Sequence, residues 1–344
     1  MIRIAIDAMG GDLAPDAILS GVVNSLTQVE NTKIFLFGPE ALLRDKLKQY
    51  KYDESRIELM DAPDVISLHE SPVLAVRRKK DSSIVKGMHF VKEGNADAFI
   101  SAGSSGAILA GGQLIVGRIK GIQRPPLGAL IPTRKGVCLL VDCGANVDAK
   151  PEWLRQFAEM GSIYIRDMLG VKNPTVGLVN IGAEEEKGNA LVKEAMPLLK
   201  ADSTLNFIGS VEARDIVDGN CDVVVADAFV GNVVLKMYEG VGRMLLSEIT
   251  DTLKHSGTKT LLGAALIKPA LKKTMKKFDA KQYGGAPILG LKGLVVKVHG
   301  NTDGRELTTA IRQCADFVEK DIVKKIQAQV EAAEAKAEAA QQEA

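Results

Sequence analysis

Thr175-Val-Gly-Leu-Val-Asn-Ile-Gly-Ala-Glu-Glu-Glu-Lys-Gly-Asn-Ala-Leu191 is the stretch whose reading decides the fold. Val176 to Asn180 is a short apolar run with the length of a buried strand. Ile181-Gly182 turns the chain, three acids precede Lys187-Gly188-Asn189, and a helical pattern follows through Leu199. Strand, polar loop and helix in that order put the loop at the carboxyl end of a strand, where open α/β sheets bind ligands. A lysine there is a mobile point charge suited to a phosphate or a developing oxyanion. The plain alternative is a solvated lysine paired with Glu184, Glu185 or Glu186.

The same alternation extends in both directions. Ile2 to Ile6, Lys33 to Phe37, Arg56 to Met60, Ala98 to Ile100, Val137 to Val141, Asp222 to Ala226 and Gly293 to Val298 read as strands with helices between them. This predicts a three-layer αβα fold with a largely parallel sheet. Loops rich in Gly, Asn, Asp or Ser stand at four strand ends: residues 101–107, 142–148, 181–189 and 227–232. Singly, each is ordinary turn chemistry; together on one sheet edge they predict a shared pocket. Ser101-Ala-Gly-Ser-Ser-Gly-Ala107 is the best phosphate cradle, with two glycines, three hydroxyls and a helix after it. Ser101, Ser104, Ser105 and the backbone around Gly103 and Gly106 are its candidate donors. It is not a P-loop, because the Gly-Lys-Ser/Thr ending is missing, and it is not the G-x-G-x-x-G dinucleotide fingerprint.

The 344 residues carry a net charge of +1, which gives no global argument for nucleic acid. No apolar run reaches the roughly 20 residues of a spanning helix. The chain opens directly on a strand without a signal peptide, so a cytosolic protein is expected. The four cysteines form no C-x-x-C pair and the four histidines no metal spacing, so no metal and no cofactor is expected. Neither a Ser-His-Asp order nor an activated thiol is visible. Residues 1–327 are read as a single catalytic domain. Residues 251–281 are a basic amphipathic helical tip with no acid between Asp251 and Asp279. Leu261, Leu262, Leu266, Leu271 and Met275 recur there at helical spacing, broken by Pro269. The tip reads either as a helix pair packing on a dimer partner or as an anchor on an anionic membrane surface. Arg77-Arg-Lys-Lys80 is a second basic cluster, a docking patch for an acidic partner or a solvated helix face. Residues 328–344 are an Ala/Glu/Gln/Lys tail.

Asp7-Ala-Met-Gly-Gly-Asp12, Ser101-Ala-Gly-x-x-Gly-Ala107, Asp142-x-Gly-Ala-Asn146, Asn180-Ile-Gly with Glu-Lys-Gly-Asn189, Phe229-Val-Gly-Asn-Val-Val-Leu-Lys236 and Tyr283-Gly-Gly-Ala-Pro287 occur in order. By these motifs the chain resembles the bacterial phosphate acyltransferases of phospholipid synthesis. The resemblance implies a fold like the phosphotransacetylases and the isocitrate/isopropylmalate dehydrogenases, and a homodimer. It implies acyl transfer from acyl–acyl-carrier-protein to inorganic phosphate. The acyl phosphate would feed a membrane-bound glycerol-3-phosphate acyltransferase, with the enzyme peripheral at the inner face of the cell membrane. Lys187 and Asn232 would be the catalytic pair. Asp7, Asp12, Asn146, Asn180 and His299 are further candidates for the site, with loop-stapling hydrogen bonds as their alternative role. Ser104-Ser105, Ala213 and Ala228 depart from the residues usual in the family. The rival readings are a metal- and nicotinamide-dependent dehydrogenase of the related fold and a non-catalytic membrane-surface scaffold.

Overall fold

Short, mostly apolar runs of two to seven residues, too short for core helices, build eleven strands in the computed structural model, which describes residues 1–255, 257–277 and 280–342. In chain order they are β1 (Ile2–Asp7), β2 (Thr32–Gly38), β3 (Ile57–Asp61), β4 (Ala98–Ser101), β5 (Gly128–Thr133), β6 (Gly136–Val141), β7 (Thr175–Asn180), β8 (Asn206–Glu212), β9 (Val223–Val225), β10 (Ala286–Pro287) and β11 (Leu294–Lys297). The helices are α1 (Asp16–Leu26), α2 (Glu40–Leu47), α3 (Pro72–Arg78), α4 (Ser83–Lys92), α5 (Ser105–Gly111), α6 (Pro151–Leu169), α7 (Ala190–Ala201), α8 (Ala228–His255), α9 (Thr258–Lys277), α10 (Arg305–Glu319) and α11 (Ile322–Gln342).

The strands form two sheets where the sequence suggested one. The first has the order β10-β11-β4-β1-β2-β3 and the second β5-β6-β9-β7-β8. All pairings are parallel except β10 with β11 and β5 with β6. Helices cover both faces, so the αβα layering and parallel character expected from the sequence hold. One buried cluster joins Ile4, Ile6 and Leu36 of the first sheet to Val141, Val176 and Val223 of the second, under α1, α6 and α10. The other joins Phe35, Phe37 and Phe99 to Leu140, Cys138 and Val224 on the opposite side. Apolar side chains therefore run unbroken from sheet to sheet in both layers, and the Gln313 amide of α10 donates to the Tyr164 hydroxyl of α6 at 2.9 Å.

Several boundaries differ from the sequence reading. α8 begins at Ala228, inside the stretch 227–232 read as a loop, because the Asp227 carboxylate accepts the Val230 N–H at 2.8 Å and caps the first turn. Asn232 thus sits on a helix, not in a loop. α9 continues through Pro269 where a break was expected. α10 and α11 are separated by a turn at Asp321, which takes a left-handed φ of 53°. α11 docks Ile322, Ile326 and Val330 into the core, so the start of the Ala-rich tail has an anchor that its composition concealed. The Leu261 side chain and residues 343 and 344 lie outside the described residues. Among the described residues no helix is long and apolar enough to cross a membrane.

Candidate active site

The division into two sheets splits the four loops. Loop 101–107 leaves the first sheet, whereas loops 142–148, 181–189 and 227–232 leave the second. The expected common edge is therefore two rims.

On the first rim, the Ser101 hydroxyl donates to Asp7 Oδ2 at 2.6 Å and accepts the Gly103 N–H at 3.0 Å. Two donors of the expected cradle are thus committed to each other and to a buried carboxyl. Burial pushes the Asp7 carboxyl up, against hydrogen bonds from Ser101, Ser83 and the backbone of Met9 and Gly10. The loops after β1, β4 and β11 touch: Asp12 N donates to Gly300 O at 2.7 Å, and Val298 N to Ser101 O at 3.0 Å. A Cβ on Gly11 would lie 2.8 Å from Gly300 O, and its φ is +102°, so only glycine fits this approach. Ser104 caps α5 by accepting the Ala107 N–H at 3.5 Å, Gly106 packs on Pro72, and Ser105 and Asp12 stay exposed at the rim.

On the second rim, the buried Asp142 carboxylate accepts five N–H groups. They come from Leu127, Gly144 and Ala145 at 3.0 Å and from the Asn146 backbone and side chain at 2.8 Å. Asn146 also reaches Pro125 O at 3.0 Å, so its amide staples this loop. The Asn232 amide donates to Cys143 O at 3.1 Å, which seats α8 on the same loop. The fit is tight: a Cβ on Gly231 would meet Asp142 O at 1.9 Å. Asn180 holds the Lys187 loop, donating to Lys187 O at 3.2 Å and Ser210 Oγ at 3.0 Å. Lys187 Nζ pairs with Glu184 at 2.9 Å and is half-exposed, and that bond pushes the ammonium above its ordinary range. Lys187 and Asn232 share no partner. Their loops do leave the same edge of β7 and β9, which are hydrogen-bonded neighbours with Leu178 opposite Val225.

The rims meet along α8. Asn232, Lys236 and Glu239 are spaced i, i+4, i+7 and share one helix face. Lys236 Nζ donates to Glu239 Oε2 at 3.1 Å, and Glu239 Oε1 faces His299 Nε2, beyond the end of β11, at 3.4 Å. His299 N donates to Glu306 of α10 at 2.9 Å. Lys297, at the end of β11, pairs in register with Ser101. Burial pushes its ammonium below the ordinary lysine range; Glu306 opposes the shift and Lys236 adds to it. The sequence reading named Asn232 and His299 but missed Lys236, Glu239 and Lys297. The available signals were the i, i+4, i+7 spacing and a lysine inside the apolar run Leu294-Val-Val-Lys-Val298.

No thiol competes as a nucleophile. All four cysteines are buried, with burial pushing Cys138 and Cys221 up to about 12 and Cys143 and Cys314 further. Among the described residues no three His, Cys, Asp or Glu side chains cluster as metal ligands. The junction of the rims offers amides, ammonium groups and one carboxylate–imidazole contact, a set that binds and stabilises anions.

The relatives agree with that chemistry. The chain is 49% identical over 330 residues to a phosphate acyltransferase of Clostridium botulinum, covering 96% of this chain and 99% of that one. It is 51% identical over 332 residues to a phosphate acyltransferase of Clostridium acetobutylicum, covering 95% and 98%. Among solved structures, a phosphotransacetylase from Streptococcus pyogenes superposes with a TM-score of 0.62 at 15% identity, covering 92% and 94%. A 4-hydroxythreonine-4-phosphate dehydrogenase from Klebsiella pneumoniae superposes at 0.51 with 14% identity, covering 92% and 99%, and shares the fold alone. The family model described as fatty acid synthesis protein matches residues 2–325. With that match and half-identical relatives along nearly the whole chain, the protein belongs to the phosphate acyltransferase family of acyl-transferring enzymes.

Proposed function

We propose that this enzyme moves a fatty acyl group from acyl–acyl-carrier-protein to inorganic phosphate, giving acyl phosphate for phospholipid synthesis. The observation that carries the reading is the junction of the two rims. Asn232 and Lys236 share one face of α8 beside Lys297, while every thiol is buried and the Ser101 hydroxyl is bonded to Asp7. Such a site positions two substrates and stabilises charge, and it leaves phosphate to act as its own nucleophile. A phosphate oxygen attacks the thioester carbon and a tetrahedral oxyanion forms. The C–S bond then breaks, and the thiolate departs and takes up a proton.

In this reading Asn232 releases Cys143 O and donates its amide to the oxyanion. Lys187, paired with Glu184, exchanges that partner for the incoming charge. Asp7, Asn146 and Asn180 hold the loops that present these groups. Mixing the protein with phosphate and palmitoyl–carrier protein is expected to release free thiol and acyl phosphate in equal amounts. Thiol release that is independent of phosphate would reject the reading.

The same reading gives the helical tip a role. α8 exposes Val233, Met237, Met244 and Leu245, a stripe suited to a second copy of the chain, and α9 exposes Leu262 and Leu266, 69% and 83% accessible, among lysines. Leu271 and Met275 are half-buried. An enzyme docked on anionic lipid through α9 would hand a labile acyl phosphate to a membrane-bound glycerol-3-phosphate acyltransferase with little loss to water. Leu262→Glu with Leu266→Glu is expected to abolish sedimentation with anionic vesicles while leaving turnover in solution unchanged. Vesicle binding that survives both changes would place the anchor elsewhere.

A further inference from the structure

Strand β11 is apolar except for Lys297, and its register makes that lysine conspicuous. Val296 and Val298 point into one buried layer and Val295 into the other. Side chains alternate along a strand, so Lys297 lies on the side of Val295, the layer that also holds Cys143. Its ammonium donates to Val298 O at 3.2 Å. Among the described residues no carboxylate forms an ion pair with it. Glu239 pairs with Lys236 and Glu306 accepts the His299 N–H, and both act on Lys297 only from beyond ion-pair distance. An ammonium that burial destabilises, with no carboxylate in ion-pair contact, is stabilised by a ligand that brings a negative charge to it. Cys143, which interacts electrostatically with both Lys297 and Lys236, is also the residue whose carbonyl holds the Asn232 amide.

We infer that Lys297 is the residue that receives the phosphate co-substrate, between Asn232 and Lys236 and opposite the end of β4. This assignment rests on the reading of phosphate as acyl acceptor. It moves the seat of the anion from the 101–107 loop, whose Ser101 and Gly103 are already bonded, to the neighbouring strand of the same rim, where Lys297 lies in register with Ser101. An anion there lies beside Asn232, so the attacking oxygen and the oxyanion donor serve one carbonyl. Lys187 is then left to the acyl side of the reaction.

Lys297→Met tests this, because it keeps the length of the side chain and removes the charge. Thermal melts are taken without phosphate and with added inorganic phosphate, with sodium chloride as the ionic-strength control. Without phosphate the variant is expected to melt at or above the parent, since an unpaired buried charge has been removed. Added phosphate is expected to raise the parent's melting temperature and leave the variant's nearly unmoved. In turnover, KM for phosphate is expected to rise about 10–100-fold, with KM for the acyl donor unchanged. Equal phosphate-induced shifts in parent and variant would overturn the Lys297 assignment alone, as would a rise confined to the acyl donor's KM. No shift in either protein would overturn it together with phosphate as the acceptor. A variant that melts below the parent in phosphate-free buffer would point to a structural lysine instead.

Discussion

Lys187→Ala and Asn232→Ala are each expected to lower kcat by about 10²–10³, the usual loss when one donor to a developing oxyanion is removed. Both variants should fold. Lys187 is half-exposed and leaves behind only a solvated Glu184. Asn232 gives up one hydrogen bond to Cys143 O at the cleft, worth about 1 kcal/mol. The double variant sharpens the test. If the two groups act on one tetrahedral centre, the second substitution adds little to the first, because groups that act as a unit are not additive. If they act on separate steps or separate ligands, the losses multiply. The adjacency of β7 and β9 favours the first outcome, since it brings both loops to one edge. Near-normal turnover in both single variants would reject the pair as catalytic.

How far the sequence led can be traced residue by residue. Val176 to Val179 reads as a buried strand because a parallel sheet covered on both faces has no polar side to show. The same patterning located β1, β2, β3, β4, β6, β7, β9 and β11. It could not say which strands pair, since hydrogen-bond partners leave no mark on an apolar run, and so one sheet was expected where there are two. β5 went unread because Pro132 interrupts it. An edge strand tolerates the missing N–H, and β5 is an edge.

At the site, composition flagged the loops, since only small polar residues make such turns. It could not show that Ser101 and Gly103 spend their donors on Asp7 and on each other. That depends on β1 and β4 being neighbours. Lys236, Glu239 and Lys297 were missed for the converse reason: each is one charged residue in an ordinary helix or strand, and only their convergence across the two rims gives them meaning. The rival dehydrogenase reading shares the fold, and a fold does not choose a chemistry. The acyltransferase relatives along nearly the full length do.

Asp142 is the position where the largest loss of stability is expected. Its carboxylate sits 0% exposed at the end of β6 and gathers five N–H donors. Those donors define the whole 142–146 turn. Asp142→Ala strands them in a space where the Leu127 and Asn146 neighbours are themselves buried. The expected destabilisation is about 3–4 kcal/mol, at the upper end for a single substitution, because unmet buried donors lose their full solvation. Asp142→Asn is the graded control. It keeps one oxygen for three of the donors but turns an amide toward the Asn146 N–H groups, so its melting temperature should fall between those of the parent and the alanine variant. Activity should fall faster than stability in both. The Asn232 amide hangs on Cys143 O, and Gly231 lies against Asp142 O with no room for a Cβ, so any relaxation of this turn shifts the first turns of α8. Lys236 and Glu239 shift with it. Urea unfolding beside kcat at a temperature where both variants remain folded separates the two effects. Full turnover in a folded Asp142→Ala protein would show that the turn does not aim the amide, and the link drawn here from loop to helix to oxyanion would fail at its first step.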